Sequence, residues 1–485
     1  MPLLPFGEWK PDVSDYEGQA TRNVLNVYPR GDGYGPFPDF ATLSQALPAA
    51  CRGGFYALKN DGSVAIFAGT LNRLYLADNT DYSWDDVSKG ASAYSDLSSD
   101  AQWQFVQFGN LVFATHENVV LQVFDLTSST EFDDSAGSPP QAAYISVIGQ
   151  FLVLSGLLSN PFRVNWSDLG DTTNWSTGLA DFQDFADGGI VRGVAGGEYG
   201  IIFQDQAIRR MSYIPGSDLI FQIERITQDK GLFAPYSIVR AGEVILFHSA
   251  HGFHKIEPGG VPVQIGRERV DRTFFDDLDK TELRMFIGAS DPRASRAFWA
   301  YKSTSGSTGV YDKILMYDLV LDRFAQITMS GEYLLGLSQP GITLESLDDL
   351  SASIDALSAS LDSFAVSTQP LIAQFNSSHK MGFFSGSNLE ATLETAEQGT
   401  DAERVFLSGF RPVCDAVTVY GSASYREVVS DTPTSLAEVS KNSRTGRCDL
   451  RRSTRYTRMK IRIPASQSWT YAAGVEPYLR PDGMT

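Results

Sequence analysis

A repeat of about 40 to 50 residues constrains the fold of the first 340 residues more than any other sequence feature. Each copy has a glycine or small residue, an apolar segment, a short turn and a second apolar segment. The copies begin at Gly62, Gly109, Gly149, Gly197, Gly242 and, in a degenerate form, Ala294. A period of this length with two strands per unit is typical of a β-propeller, because each blade buries its faces only against its neighbours.

The prediction for the whole chain is an all-β protein with a six-bladed β-propeller over residues 51–340. A smaller β-sandwich-like domain over 373–485 follows it. In its last strands Met459, Ile461 and Ile463 alternate with basic residues, which indicates a half-buried strand. A row of hairpins within a sandwich or barrel is the alternative to the propeller.

Two segments do not follow the repeat. Residues 1–50 are rich in proline and glycine, most densely over 28–38, and are interpreted as an N-terminal arm without a buried regular strand. Residues 341–372 are interpreted as a linker with a heptad-like repeat at 346–366. The spacing of apolar residues there favours a short amphipathic helix, whereas the serine content favours three turns, and both alternatives stay open.

Charge and cysteine usage exclude several classes of protein. The chain has 485 residues and a net charge of −19, which argues against general affinity for nucleic acid. Cys51, Cys414 and Cys448 lie far apart without metal-ligand spacing, so we expect reduced, structural thiols. The first residues lack the pattern of a signal peptide, and no apolar stretch reaches the length of about 18 residues that a membrane span needs.

The sequence contains no motif for a nucleophile, a phosphate loop or a dinucleotide fold, so we predict no catalytic and no cofactor-binding residues. His248, His251 and His254 share a predicted hairpin, but no further ligand is adjacent. We therefore expect solvated or loosely packed histidines and no metal. The segment Ser167–Ser176 is similar to the Asp-box turn of sialidase-type propellers, with departures in spacing, and indicates a structural turn.

One basic segment contrasts with the acidic chain. Within residues 441–462 we select as a candidate docking patch Arg444, Arg447, Arg451, Arg452, Arg455, Arg458, Lys460 and Arg462. Such a patch suits an acidic partner, for example the propeller of a neighbouring copy. A solvated strand face is the alternative, and contact with DNA is a lesser one.

Four segments in order along the chain resemble one known family, the tail hub or nozzle proteins of short-tailed bacteriophages, which include packaged-DNA stabilisation proteins. The segments are Asn23–Phe40, Trp166–Trp175, Ile226–Ile256 and Arg455–Pro464. None of them contains a catalytic motif, and their shared order carries the resemblance.

The resemblance implies a structural virion protein without enzymatic activity or cofactors, made in the host cytoplasm and located in the tail. It implies a homo-hexameric ring below the portal and its adaptor, with needle, fibres or spikes attached below. Such a ring extends the DNA channel, helps retain packaged DNA and supports its ejection, and double-stranded DNA passes through the lumen without sequence-specific binding. The alternatives are a tail-associated propeller enzyme acting on host glycans and a receptor-binding propeller.

Overall fold

The computed structural model describes residues 3–14, 20–217, 219–291, 295–338 and 370–484. The predicted heptad-like repeat at 346–366 lies outside these residues. Strands predominate in the described part, which has one α-helix, α1 (Asp271–Asp277). Short 3₁₀ turns lie at Lys89–Ala91, Pro235–Ser237 and Leu283–Met285.

Five strands precede the repeat, and five antiparallel four-stranded sheets follow them. The N-terminal strands are β1 (Leu4–Pro5), β2 (Asn23–Leu25), β3 (Val27–Arg30), β4 (Gly33–Pro36) and β5 (Pro38–Ala46). The first sheet comprises β6 (Gly54–Leu58), β7 (Val64–Gly69), β8 (Leu74–Ala77) and β9 (Trp84–Asp86). The second comprises β10 (Gln104–Phe108), β11 (Leu111–Thr115), β12 (Gln122–Asp125) and β13 (Asp133–Asp134).

The next three sheets repeat this order, each strand pairing with the one before it. The third comprises β14 (Ala142–Ile148), β15 (Phe151–Leu157), β16 (Arg163–Trp166) and β17 (Asp181–Asp184). The fourth comprises β18 (Val191–Ala195), β19 (Gly200–Gln204), β20 (Ile208–Tyr213) and β21 (Phe221–Thr227). The fifth comprises β22 (Val239–Ala241), β23 (Val244–Ser249), β24 (Gly252–Ile256) and β25 (Val263–Gln264).

A further set of four consecutive strands belongs to a larger, 14-stranded sheet. The set comprises β26 (Phe286–Asp291), β27 (Arg296–Tyr301), β28 (Tyr311–Asp318) and β29 (Arg323–Ser338). The first half of β29 pairs with β28, and its second half pairs with the strand that begins at Pro370. The strand therefore connects the repeat to the C-terminal part.

Apolar clusters between consecutive sheets explain why the repeat folds in this way. Between the first and second sheets, Phe67 contacts the rings of Phe124 and Phe132. Three similar clusters separate the second, third, fourth and fifth sheets. Since a sheet with two apolar faces is stable only between neighbours, the chain is nearly all-β with sheets arranged like propeller blades.

The C-terminal strands belong to two sheets. They are β30 (Pro370–Asn376), β31 (Lys380–Asn388), β32 (Ala391–Glu394), β33 (Gln398–Gly399), β34 (Glu403–Cys414), β35 (Tyr420–Arg426), β36 (Thr434–Ser435), β37 (Val439–Ser440), β38 (Arg452–Thr454), β39 (Tyr456–Ile463) and β40 (Ala472–Met484). One sheet has the order β3-β4-β40-β34-β38, with β1 also on β40. The other, the 14-stranded sheet, contains the path β29-β2-β32-β39-β35-β36.

The N-terminal segment differs from the expectation of an arm without buried strands, which is wrong. Strands β2, β3–β4 and β5 pair with or extend the C-terminal sheets, and Val24, Val27 and Tyr34 are wholly buried. Pro29 is tolerated because β3 lies at the edge of its sheet. Asn26 joins the strands at a φ of 60°, and its side-chain oxygen accepts hydrogen bonds from Thr328.

Candidate functional site

A cavity of about 480 Å³ lies where the first strands of the sheets meet. Residues of β6, β10, β14, β18, β22 and β26 line it, so it occupies the axis around which the sheets are arranged. Among the described residues that line it, Arg240 is the one charged side chain, and no carboxylate is present. Carboxylate pairs are the usual machinery of glycan hydrolysis, and this cavity does not supply one.

The second half of β29 narrows the cavity from one side. Its residues Tyr333–Gly336 line the cavity together with Gly54 of β6 and Ser290 of β26. A Cβ atom at Gly336 would lie 2.9 Å from the carbonyl oxygen of Ser290, so glycine allows this close approach. The second half of β29 thus lies between β6 of the first sheet and β26.

A hydrogen-bonded network, here called the axial network, bridges the same axis. The backbone N–H of Gln102 donates to the Tyr236 hydroxyl at 2.9 Å, and the Gln102 amide donates to the Arg284 carbonyl at 2.6 Å. The Tyr311 hydroxyl donates to the same carbonyl at 3.0 Å. Gln102, Tyr236 and Arg284 each lie just before the first strand of a sheet, so these bonds connect sheets that are not neighbours in sequence.

Burial keeps the hydroxyl groups of the axial network neutral. It raises the pKa of both Tyr236 and Tyr311 well above the ordinary tyrosine value. Both hydroxyls therefore remain donors and acceptors at any physiological pH. Sequence reasoning missed this network, because its members are single polar residues from remote parts of the chain that meet only when the sheets pack beside one another.

The structure divides the predicted docking patch between two sheets. Arg458, Lys460 and Arg462 share one face of β39, opposite a buried face with Met459 and Ile461. This alternation confirms the prediction of a half-buried strand. Arg452 begins β38 in the other sheet, and Arg455 lies half-buried between the two strands.

Two arginines on this face of β39 already form ion pairs with carboxylates of the same chain. Arg462 forms ion pairs with Glu390 and Glu438, both at 2.8 Å, and these bonds raise its pKa further. Arg458 lies 3.4 Å from Glu397, which also pairs with the buried Arg426. The net positive charge of this face is therefore smaller than the run of basic residues indicates.

The remaining patch residues lie in or beside the loop before β38. Arg447 stacks on Tyr478 with its guanidinium carbon 4.0 Å from the ring centre, and Arg452 stacks on Tyr425 at 3.9 Å. Arg444 and Arg451 are exposed. These two side chains are the part of the predicted patch most accessible to a partner.

The three hairpin histidines do not converge. His248 and His254 are wholly buried, whereas His251 is exposed on the turn, so the expectation of solvated or loosely packed histidines is wrong for two of them. Burial lowers the pKa of His248 to about 3. Nowhere in the described ranges do three or more His, Cys, Asp or Glu side chains form a group that could hold a metal ion.

The Asp-box-like segment has the expected structural role. The carboxylate of Asp168 accepts hydrogen bonds from the backbone N–H groups of Leu169 and Leu179, at 2.8 and 2.9 Å, and from the Asn174 amide. Trp175 is buried in the apolar cluster between the second and third sheets. The segment therefore holds the connection between β16 and β17.

The three cysteines are free thiols, and burial raises the pKa of each, that of Cys448 to about 11. All three therefore stay protonated and unreactive at neutral pH. Within the described residues, no helix is long and apolar enough to cross a membrane.

Comparison with known proteins gives weak structural similarity. No family model and no curated protein matches the chain. The extracellular domain of the hybrid two-component system BT4673 from B. thetaiotaomicron aligns with 78% of the chain at 10% identity and a TM-score of 0.39, and the chain covers 44% of that domain. The N-terminal domain of Nup159 aligns with 74% of this chain at 9% identity and a TM-score of 0.39. The alignment covers 98% of the Nup159 domain.

A third solved structure, a catalytically inactive variant of virginiamycin B lyase from Staphylococcus aureus, aligns with 60% of the chain and all of its own length. Its identity is 11% and its TM-score is 0.35. TM-scores below 0.5 carry no argument about function. The fold of this chain therefore rests on its own strand pairing.

Proposed function

We propose that this chain is a structural protein of a short-tailed bacteriophage tail, a six-bladed propeller with a β-sandwich-like second domain that forms a hub or nozzle ring. Six copies surround the DNA path below the portal and its adaptor, and carry other tail components below. The ring extends the channel, helps retain packaged DNA and supports its ejection. The protein is made in the host cytoplasm and has no catalytic role.

The observation that carries the proposal is the carboxylate-free, bridged axis. Enzymes and ligand-binding proteins place convergent polar or acidic groups in an open cleft. In this chain the axial network and Tyr333–Gly336 fill that position, and the cavity between them contains no carboxylate among its described lining residues. This arrangement favours a structural role over glycan cleavage.

The dimensions of the cavity also favour a ring of copies over a pore through one chain. A sphere of 480 Å³ is about 10 Å across, whereas the major groove of B-DNA alone is about 12 Å wide. Duplex DNA would therefore have to pass between copies. A net charge of −19 per chain disfavours adhesion of the phosphate backbone during that passage.

Two of the segments that resemble the phage family form strands of the C-terminal sheets, which is consistent with the proposal. Asn23–Phe40 supplies β2, β3, β4 and the start of β5, which join the C-terminal sheets. Arg455–Pro464 contains β39, at the centre of one of those sheets. Because the resembling residues form paired strands, the resemblance concerns the architecture of the protein.

One observation favours a receptor-binding propeller as the second candidate. Phe162 and Phe182 are 44% and 45% exposed at the outer edge of the third sheet. Arg163 holds this edge in place, since its guanidinium lies 3.6 Å from the Phe182 ring centre and pairs with Asp184 at 2.6 Å. Exposed, pre-ordered aromatic side chains are suited to recognition of a surface.

Electron cryomicroscopy of virions, with the protein tagged, tests the proposal. We expect six copies around the tail axis next to the portal-adaptor complex. A position at the tips of fibres would favour the receptor-binding candidate instead. Cleavage of host polysaccharide by the purified protein would contradict the structural assignment, whereas a monomer in solution would not, because ring proteins assemble on their partners.

A further inference from the structure

We propose that the loop before β38 of one copy docks into a groove between the first and second sheets of a neighbouring copy. The inference rests on the proposed ring, and it names the contact that holds adjacent copies together. The loop, residues 441–451, is called the basic loop. The groove, a cavity of about 330 Å³ that extends from Lys89 to Gln141, is called the acidic groove.

The first two sheets hold much of the negative charge of the chain. Residues 61–134 contain twelve acidic and two basic side chains. Asp134 lines the acidic groove, and the exposed residues Asp96 and Asp133 are next in sequence to residues that line it. Lys89 pairs with Asp133 and Asp134 at 2.9 and 2.8 Å, so this one cation neutralises only part of the charge.

The lining of the acidic groove is suited to a guanidinium group. Amide and hydroxyl oxygens, which accept hydrogen bonds, surround the carboxylate of Asp134. Arginine has N–H donors and no acceptor, so it binds where acceptors converge. Val120 is 37% exposed in the groove and adds apolar surface for the hydrocarbon part of an arginine side chain. The amide and hydroxyl side chains of the lining are Ser92, Tyr94, Ser95, Asn118, Gln122 and Gln141.

The basic loop presents two arginines whose charges are available to a partner. Arg444 and Arg451 are exposed, and neither forms an ion pair with a carboxylate in the described part of the chain. Asn442 holds the turn, since its side-chain oxygen accepts from the N–H groups of Arg444 and Thr445 at 2.9 and 3.1 Å. The loop is therefore ordered before it meets a partner, which lowers the entropic cost of docking.

The distribution of charge selects a head-to-tail contact between copies. Among the described residues, no ion pair or hydrogen bond joins the basic loop to the first two sheets. Contact between two acidic grooves, or between two basic loops, would bring like charges together. A groove on one copy and a loop on the next form a heterologous contact instead, and such contacts close into a ring when the rotation between copies permits it.

A neighbouring copy fits the basic loop better than duplex DNA does. Proteins that bind DNA without sequence preference neutralise several phosphates with lysine and arginine side chains. The basic loop offers the two exposed arginines Arg444 and Arg451 on a chain with a net charge of −19. The acidic groove, in turn, needs a cationic partner, and the basic loop of a second copy supplies it.

Disulfide trapping with the purified full-length protein tests the contact. Ser95 lines the acidic groove, Ser443 precedes Arg444 in the basic loop, and both serines are exposed. The native thiols have raised pKa values, so cysteines at these two positions react selectively. Under mild oxidation the double variant Ser95→Cys/Ser443→Cys should form a ladder of linked chains, whereas each single variant should stay unlinked.

Trapping accumulates a transient contact, so a protein that is mostly monomeric still reports it. The absence of a ladder from the double variant, with both thiols accessible to a maleimide, would overturn the proposal. Linked dimers of either single variant would indicate an isologous contact and would overturn it too. A ladder from a protein that is absent from phage tails would support the contact and contradict only the proposed function.

Reversal of charge identifies the interaction behind the trapping. Arg444→Glu with Arg451→Glu, added to the double-cysteine variant, should slow ladder formation more than tenfold. Asp96→Lys with Asp133→Lys in the same chain should restore it, because the charges are then exchanged across the contact. Arg267→Glu, at another exposed arginine, is the matched control and should leave trapping unchanged. Failure of the exchanged charges to restore trapping, in variants with unaltered melting temperature, would contradict the pairing of these two surfaces.

Discussion

His248 lies at the centre of an aromatic cage and has no hydrogen-bond partner at either ring nitrogen. The rings of Phe253 and Phe275 are 4.6 and 4.8 Å from it, and those of Phe274 and Phe286 follow at 5.2 and 5.1 Å. A buried polar atom without a partner costs about 1–3 kcal/mol. The residue is therefore a destabilising feature of an otherwise apolar cluster.

We expect His248→Phe to raise the apparent free energy of unfolding by about 1–2 kcal/mol at pH 7. The gain should increase on acidification. Burial lowers the pKa of His248 from about 6.5 in the unfolded chain to about 3 in the folded one, so protonation of this residue costs the wild-type protein about 1.4 kcal/mol per pH unit between pH 6.5 and pH 3, a loss that the variant lacks. Denaturant titrations at pH 5 and pH 7 measure both effects.

His251→Phe is the matched control, because His251 is exposed on the turn of the same hairpin. It should show no gain that depends on pH. An equal stability of His248→Phe and the wild type at pH 5 would mean that His248 is hydrated or has a partner.

At the scale of elements, helix α1 depends on a residue from a remote part of the chain. Asp12 is buried, and its carboxylate accepts hydrogen bonds from the N–H groups of Arg272 and Thr273, at 2.8 and 2.9 Å. The local N-cap position, Val270, offers no side-chain acceptor. A short helix of seven residues thus begins correctly only when the N-terminal segment is in place.

Asp12→Ala should lower the free energy of unfolding by about 0.5–2 kcal/mol, since it removes the acceptor of two N–H groups in the first turn of α1. Asp12→Asn should cost less, because the amide oxygen still accepts. Asp276→Ala, at an exposed position of α1, is the control and should change stability by less than about 0.5 kcal/mol. Urea denaturation compares the three. A normal stability of Asp12→Ala would show that α1 does not need this cap.

At the scale of the whole molecule, the basic segment 441–462 contains two kinds of arginine: some form ion pairs within the chain, and others are exposed to solvent. Arg458 and Arg462 have carboxylate partners within the chain, whereas Arg444 and Arg451 are exposed in the loop before β38. Charges that already have partners add little to docking, because a new partner has to compete with the existing one.

Reversal of the charge at both Arg444 and Arg451, to glutamate, should therefore reduce assembly with neighbouring copies or tail partners more than tenfold without loss of fold. Arg267→Glu reverses another exposed arginine and serves as the control. Arg462→Ala should instead reduce stability by up to about 1 kcal/mol and leave assembly intact. Incorporation into virions and melting temperature distinguish these effects. Normal incorporation of the double variant would exclude the loop as a docking surface.

The repeat predicts the sheets because its glycines and apolar segments fall at the turns and buried middle strands, as at Gly109 and β11. The N-terminal strands escape prediction because β2, β3 and β4 are only three or four residues long and contain Pro29 and several glycines. The candidate site is even harder to predict from the sequence than these strands. Gln102 and Arg284 are adjacent only after the sheets close around an axis, and the counter-charges of β39 are distant in sequence.

The pairing of N-terminal with C-terminal strands has a consequence for how the chain acquires its structure. Leu4 pairs with Val475 and Val24 with Leu393, so these strands find their partners only after nearly the whole chain has been synthesised. Contacts of such long separation form slowly and leave strand edges exposed in the meantime. Ribosome-bound chains that lack β40 should therefore contain folded central sheets beside an N-terminal segment that awaits its partners and depends on chaperones for protection.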